Sequence, residues 1–463
     1  MTETHKPSNF MLAEVSVDMG NGKRRNAWTL LLAAPLLLLL FVSVRTVWAA
    51  DVLPTPEFSN HPIPQAQTPA PRTPLQDYLD LGYLAAAIAA ASLLAVKFRW
   101  RLGLFLLSVV SLAWLGFWRK GCVCPIGAIQ NVTQALFDKD YAAGWLVIAI
   151  FALPLVFTLL FGRTFCASVC PLGAVQEIVA LRPVQVPTWF DHALGLLAYV
   201  YLGAAVLFAA TGSAWIICRY DPFVGLFRLS SSAWMLALSG GFLAVGLFVG
   251  RPYCRWLCPY GAILALLSRV SWRHMTIPPE QCVQCHLCEE ACPYGAIQRP
   301  TVAPPPAART AARWRLVGVL AMAPLLIAAA TYLGYELRSS LAGLHPTVQL
   351  ARQIRLEESG QAKARTDATE AFRATGEPVD SLYEKADAIV GKFAWGGSIL
   401  GGWVGLVFAA KLLRLSIRRR RTDYQPDRSA CVSCGRCFWY CPEEHAQQAL
   451  ITLQKPDQQE NDV

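Results

Sequence analysis

Gly250 to Cys292 contains the run G-R-P-Y-C-R-W-L-C-P-Y-G-A (250–262), a basic amphipathic piece, and the run C-V-Q-C-H-L-C-E-E-A-C (282–292), followed by Pro293. The first run, with Cys254 and Cys258, closes a series of apolar segments. The second sets Cys282, Cys285, Cys288 and Cys292 at the spacing C-x2-C-x2-C-x3-C-P. An apolar region and a cysteine-rich region meet in this one stretch, and the fold follows from what lies on either side of it.

Of the 463 residues, 54% are hydrophobic and 16% are charged. A soluble domain carries about 25% charged residues, so the chain reads as a membrane protein. The net charge of +10 is concentrated in Lys23-Arg24-Arg25, Lys97–Arg101 and Arg418–Arg421, each beside an apolar run. That pattern points to cytoplasmic loops of a membrane protein, not to a nucleic-acid surface. Apolar segments at 27–50, 78–96, 102–117, 143–161, 191–210, 233–249, 313–334 and 395–413 give eight expected spans. The first is either a retained helix or a signal peptide ending at Ala49-Ala50, and its length favours a retained helix. Residues 51–76 hold seven prolines and read as an extended linker.

The expected organisation is mostly α: an N-terminal helix and linker (1–76), a transmembrane helical domain (77–272), one ferredoxin-type half (273–311), a transmembrane hairpin with an outer helical segment at 335–394 (312–416), and a second half (417–463). Alternating the spans from a cytoplasmic N-terminus places Lys97–Arg101, the Cys166 region, Cys254–Arg309 and the C-terminus inside. The Cys122 and Cys218 regions and 335–394 fall outside, where Arg119, Lys120, Arg219 and Arg228 break the charge rule.

A second run, Cys431-x2-Cys434-x2-Cys437-x3-Cys441-Pro442, repeats the first. This is the spacing of a bacterial two-cluster ferredoxin, where the last cysteine of each run serves the other cluster. One [4Fe–4S] cluster is therefore expected on Cys282, Cys285, Cys288 and Cys441, and another on Cys431, Cys434, Cys437 and Cys292. Such a ferredoxin is an α+β unit. Its halves are separated by two spans, an even number, so both return to one face. Cys282-x-x-Cys285-His286 also matches a haem-attachment pattern, but the cluster needs the same thiols and no haem is expected.

The other seven cysteines fall into four related elements: Cys122-Val-Cys124-Pro125-Ile-Gly127, Cys166-x3-Cys170-Pro171-Leu-Gly173, Cys218-Arg-Tyr-Asp221-Pro222, and Cys254-x3-Cys258-Pro259-Tyr-Gly261. Proline suits the first helical position, which sets the preceding thiolate at a helix N-terminus. Glycine two residues after proline removes a Cβ where a cofactor approaches. Arg163, Arg251 and Arg255 inside, with Arg119, Lys120 and Arg219 outside, are expected to compensate anionic clusters. Sidedness pairs Cys166, Cys170, Cys254 and Cys258 as an inner cluster. Cys122, Cys124 and Cys218, with Asp221 as an oxygen ligand, make an outer one, for which a redox or disulfide site, or simple packing, is the alternative. Both are expected below the headgroup level.

Cys-x3-Cys-Pro elements after membrane helices, followed by paired ferredoxin runs, resemble the membrane polyferredoxins of the NosR/NapH kind over about residues 100–300 and 425–450. The resemblance implies a multi-pass protein of the bacterial cytoplasmic membrane with cytoplasmic ferredoxin halves. It would act as an electron-transfer subunit of an oxidoreductase system, taking electrons from a cytoplasmic donor to a periplasmic flavin- or haem-protein. A rival role is a metal-reducing maturation factor or a redox-sensing regulator. The flavinylation motif S/T-G-A-T is absent, so no FMN is expected on this chain. The histidines, His5, His61, His192, His274, His286, His345 and His445, avoid mid-span positions, which argues against a transmembrane haem. No Walker or dinucleotide loop is present. In 335–394, the pair Glu370/Arg373 marks either a solvated helix face or a docking surface. Gly396, Gly397, Gly401 and Gly402 are expected to let helices approach closely.

Overall fold

Four prolines each open a short helix: Pro125–Phe137, Pro171–Val179, Pro222–Arg228 and Pro259–Leu267. The computed structural model describes residues 73–121, 123–181, 183–228, 232–277, 282–301, 306–361, 365–417 and 421–443. Before each proline stands an extended residue: Cys124 (ψ 104°), Cys170 (ψ 118°), Asp221 (ψ 114°) and Cys258 (ψ 112°). Proline arrives with its φ preset and no N–H to satisfy, so each helix starts where its sequence element requires. At 13 residues the longest of the four rises only about 20 Å, short of the roughly 30 Å hydrocarbon layer.

Among the described residues, five helices are long and apolar enough to cross a membrane: Pro74–Lys97, Arg101–Trp118, Thr188–Ala210, Thr310–Glu336 and Val379–Ser416. Among the same residues Pro222–Arg228 and Ala233–Gly246, bent by 108°, make a sixth candidate if they count as one. The expectation of eight is not confirmed among the described residues. The segment at 143–161 forms a 17-residue helix, Trp145–Phe161, interrupted by Pro154. The segment at 233–249 yields only Ala233–Gly246, 14 residues. Apolar composition registers burial in lipid or protein alike and does not say where a helix stops. The expected span at 27–50 lies outside the described residues.

Thr310–Glu336 and Val379–Ser416 form the expected hairpin. Gly397, Gly401 and Gly405 face it, and a Cβ on Gly405 would sit 2.8 Å from the Ile327 Cα. Gly402 faces Thr331 of the same partner helix, whereas Gly396 faces Leu207. The hairpin seats on Thr188–Ala210, where Gly203 accommodates Trp403 and the Trp403 indole donates to the Tyr199 carbonyl at 2.9 Å. Val379–Ser416 has 38 residues, about 57 Å of rise, so its first turns leave the span and join the segment at 335–394. There Ala351, Ile354, Phe372, Leu382 and Ala386 form a small core with Pro346–Glu358 and Asp367–Ala374. Arg373 pairs with Glu357 at 2.9 Å rather than with Glu370, because the partner helix offers a more buried carboxylate.

The two cysteine runs meet in a two-stranded antiparallel sheet, β1 (Ile297–Gln298) with β2 (Gln425–Pro426), in the register Ile297↔Pro426 and Gln298↔Gln425. The Asp427 N–H extends the pairing to the Ala296 carbonyl at 2.7 Å.

Candidate iron–sulfur sites

Each ferredoxin-type run places left-handed residues at equivalent positions. Gln284 (φ 54°) and Ser433 (φ 55°) precede the second cysteine, and His286 (φ 64°) and Gly435 (φ 79°) follow it. Alternating right- and left-handed backbone turns successive N–H groups inward, the concave arrangement that holds anions and iron–sulfur centres. The Ser433 N–H donates to Cys431 Sγ and the Ala296 N–H to Cys292 Sγ, both at 3.4 Å. Cys288 interacts electrostatically with Cys282, Cys285 and Cys441. Cys437 interacts in the same way with Cys431, Cys434 and Cys292. A cavity of about 40 Å³ is lined by Cys282, Cys285, Cys288 and Cys441, and by Cys437 of the second run. Burial pushes the Cys431 thiol up to about 12 and that of Cys288 to about 11. At such positions a thiolate persists when a cation replaces its proton, as iron does.

The membrane-domain cysteines form two neighbouring groups. In one, Cys170 interacts with Cys254 and Cys166, and Cys258 with Cys254, Cys170 and Cys166. The two elements interlock through their glycines. A Cβ on Gly173 would lie 3.1 Å from the Arg251 guanidinium and 3.2 Å from the Cys166 carbonyl. One on Gly261 would lie 3.4 Å from Arg163 and 3.4 Å from the Cys254 carbonyl. Each glycine thus admits the arginine of the opposite element, a more specific role than general access for a cofactor. Arg163 reaches Cys166 Sγ at 4.0 Å, and the Gly261 N–H donates to Cys258 Sγ at 3.3 Å.

In the second group Cys124 interacts with Asp221 and Cys218, and Gly127 is the point at which an added Cβ would meet Cys218 Sγ at 3.1 Å. Cys122 lies outside the described residues. Asp221 is buried, and its Oδ1 accepts the Phe223 and Val224 N–H groups at 2.9 and 3.3 Å. It caps its helix as Cys258 caps its own, which explains how an oxygen donor can replace sulfur in the repeat. Cys170 is close enough to Cys124 to interact with it, and Tyr253 and Tyr260 each interact with members of both groups. All described cysteines are free thiols. Among the described residues no three His, Cys, Asp or Glu side chains converge on a single ion. Thiols, backbone N–H groups aimed at sulfur and buried guanidinium groups together suit an anionic group.

Sequence reasoning missed the residue that joins the two regions. Glu177, 5% exposed, accepts from Arg101 at 2.6 Å, from Arg436 at 2.9 Å, from Arg251 at 3.1 Å and from the Tyr294 hydroxyl at 3.2 Å. The same Arg251 donates to the Cys166 and Ala167 carbonyls, and the same Arg101 to the Cys434 carbonyl. Burial opposes ionisation, but the three guanidinium groups prevail and hold the Glu177 carboxyl at about 2. A glutamate seven residues after a Cys-Pro pair carries no spacing signal. The available hint was charge: three arginines near cysteine elements require an anion. Arg255, expected beside a cluster, instead pairs with Asp191 and donates to the Pro293 and Tyr294 carbonyls. Arg119 pairs with Asp80.

A 4Fe–4S binding domain matches residues 143–196 and 232–278, and a second 4Fe–4S binding domain matches 275–298. Protein NirI of Paracoccus denitrificans is 30% identical over 213 residues, covering 43% of this chain and 31% of NirI. The putative electron transport protein YccM of Escherichia coli is 26% identical over 190 residues, 36% of this chain and 52% of YccM. Regulatory protein NosR of Stutzerimonas stutzeri is 25% identical over 212 residues, 43% of this chain and 29% of NosR. The matched stretch spans between 29% and 52% of these relatives' own length. No solved structure matches. With 4Fe–4S binding domains beside apolar spans and relatives of this kind, the chain fits the membrane polyferredoxins of the NosR/NapH kind.

Proposed function

We propose that the chain is a transmembrane iron–sulfur electron-transfer protein that relays electrons between cytoplasmic ferredoxin clusters and a periplasmic redox partner. Cys282, Cys285, Cys288 and Cys441 would hold one [4Fe–4S] cluster, and Cys431, Cys434, Cys437 and Cys292 a second. Cys166, Cys170, Cys254 and Cys258 would hold the inner membrane cluster, and Cys122, Cys124, Cys218 and Asp221 the outer one. Bound clusters supply one-electron chemistry at potentials tuned by charge and hydrogen bonds to sulfur. The chain's own residues supply continuity. The Glu177 node fastens the Cys434 loop to the Cys166 loop through Arg101, Arg436 and Arg251, and that contact is the observation that carries the reading. A soluble reductant would act on the ferredoxin face, and a flavin- or haem-protein acceptor on the other.

The name of the NosR relatives, regulatory protein, favours a second reading, a redox-sensing regulator or metal-reducing maturation factor. Proteoliposomes separate the two. With a low-potential viologen reducing the ferredoxin face and a trapped dye as acceptor, wild type should reduce the dye and Cys218→Ala should not. Dye reduction at the wild-type rate by Cys218→Ala overturns the relay.

A further inference from the structure

The two membrane cysteine groups share a residue beyond the cysteines. The first element continues Cys124-Pro-Ile-Gly-Ala-Ile-Gln130 and the second Cys170-Pro-Leu-Gly-Ala-Val-Gln176, so each places a glutamine six residues after its cysteine. Both glutamines are fully buried. Each bridges from its own helix to the opposite element of its group. The Gln176 Oε1 accepts the Tyr253 N–H at 3.1 Å, which fixes the amide so that Nε2 donates to Cys254 Sγ at 3.2 Å and to the Leu172 carbonyl at 2.7 Å. The Gln130 Oε1 accepts the Cys218 N–H at 3.2 Å, which fixes that amide in the same sense. Its Nε2, however, has no hydrogen-bond partner among the described residues. A buried donor left unsatisfied costs about 1–3 kcal/mol, so an amide held this way is expected to have an acceptor nearby when the site is complete.

We infer that Gln176 and Gln130 are equivalent positioning residues, one per membrane cluster, each clasping two elements together by its carbonyl and donating its amide N–H to the sulfur or carboxylate ligands of that cluster. In the first group the acceptor is Cys254 Sγ. In the second it is the Cys218 and Asp221 ligand set or the sulfide of the cluster it holds. The repeat in the sequence is therefore also a repeat in the hydrogen bonding, and the second group is a cluster site built on the plan of the first, with one residue fewer between its cysteine and the capping Asp221. Donation to sulfur stabilises the reduced, more negative state. Each glutamine thus raises the potential of its own cluster and leaves the other's unchanged. The inference rests on the cluster reading of both groups.

The experiment uses the full chain, with iron and sulfide counted and each midpoint potential read by redox-poised electron paramagnetic resonance. Gln176→Leu and Gln130→Leu should keep wild-type iron and each move one membrane-domain signal, a different one in each variant. The oxidised-to-reduced ratio at fixed potential should rise about tenfold, which is a fall of about 59 mV for a one-electron couple. Gln176→Glu and Gln130→Glu keep the clasping oxygen and lose the donor, so they should move the same signals in the same direction even where the leucine variants fold poorly. Full iron with every potential unmoved overturns the inference. Loss of clusters from the glutamate variants as well as the leucine variants assigns the glutamines to folding and overturns it too. A wild-type chain that binds only three clusters refutes the reading of the second group itself, a result distinguishable from the others because the Gln176 shift would persist.

Discussion

Glu177→Gln preserves the shape of the node between the ferredoxin-type unit and the membrane cysteines and removes its only negative charge. Three guanidinium groups then face one another across a neutral amide, with Arg251 fully buried. Removing one partner of a buried ion pair costs about 3–5 kcal/mol. The carboxyl itself gives an independent figure. It is held at about 2 against an ordinary 4.5, which is worth about 3 kcal/mol at roughly 1.4 kcal/mol per pH unit. Because the folded-state value is depressed, this stabilisation is fully present above pH 4.5 and is lost as pH falls toward 2. Arg436 lies on the second cysteine run, so the loss should be felt first as undocking of that run. About 3 kcal/mol corresponds to a rise of roughly a hundredfold in the undocked population. Hydrogen exchange on the full chain at neutral pH should show protection of 425–443 falling by that factor while Thr310–Glu336 keeps its own. Unchanged exchange at 425–443, an equal loss in both regions, or a gap between variant and wild type that widens on acidification would refute the reasoning.

Gly401→Leu drives a side chain into the Ala330 carbonyl across the hairpin, and overpacking of this kind costs about 1–3 kcal/mol; thermal unfolding followed by tryptophan fluorescence should show it, with Gly318→Leu, which meets no neighbour, as the silent control. Cys292→Ala and Cys441→Ala test the exchange of last cysteines between the runs: the paramagnetic signal lost in Cys292→Ala should be the one lost in Cys434→Ala, and that lost in Cys441→Ala should be the one lost in Cys285→Ala. The opposite assignment means that each run closes on itself.

What was legible in the sequence was whatever chemistry forces into spacing. Proline at the first helical position dictated where four helices begin, and the structure starts them at Pro125, Pro171, Pro222 and Pro259. The ferredoxin-type runs announced two halves, and β1 with β2 joins them. Span count was not legible, because hydropathy cannot see that Trp145–Phe161 stops at 17 residues or that the chain bends by 108° before Ala233. The glycines were marked as places of close approach, but the residues approaching them were not. Gly173 receives Arg251 and Gly261 receives Arg163, a crossing that exists only once two elements distant in sequence are side by side. Glu177 was invisible for the same reason: its four donors come from residues 101, 251, 294 and 436.

The proposed sidedness depends on how the basic residues that break the charge rule are held. The rule counts loop cations that water and headgroups meet as net charge. Arg119 is paired with the buried Asp80 of the preceding span and brings no net charge to its side. Arg163 and Arg251 are buried against cysteine elements and Glu177, so their side of the membrane is set by those contacts and not by the translocation preference of a loop. Arg219 packs over the Tyr220 ring at 5.7 Å but keeps its charge. Setting aside the paired and buried cations removes Arg119 as an exception on the outer side, and Arg101, Arg163 and Arg251 from those that had counted for the inner side. Lys97 and Arg99 lie where the first two described spans meet, and Arg99 donates to the Thr276 carbonyl beside the first ferredoxin-type run. Arg101 reaches Cys434 of the second. The loop that the charge rule puts in the cytoplasm is thus the loop both cysteine runs rest on, so one assignment of side carries all three, and reversing it would move the whole ferredoxin-type unit with the loop.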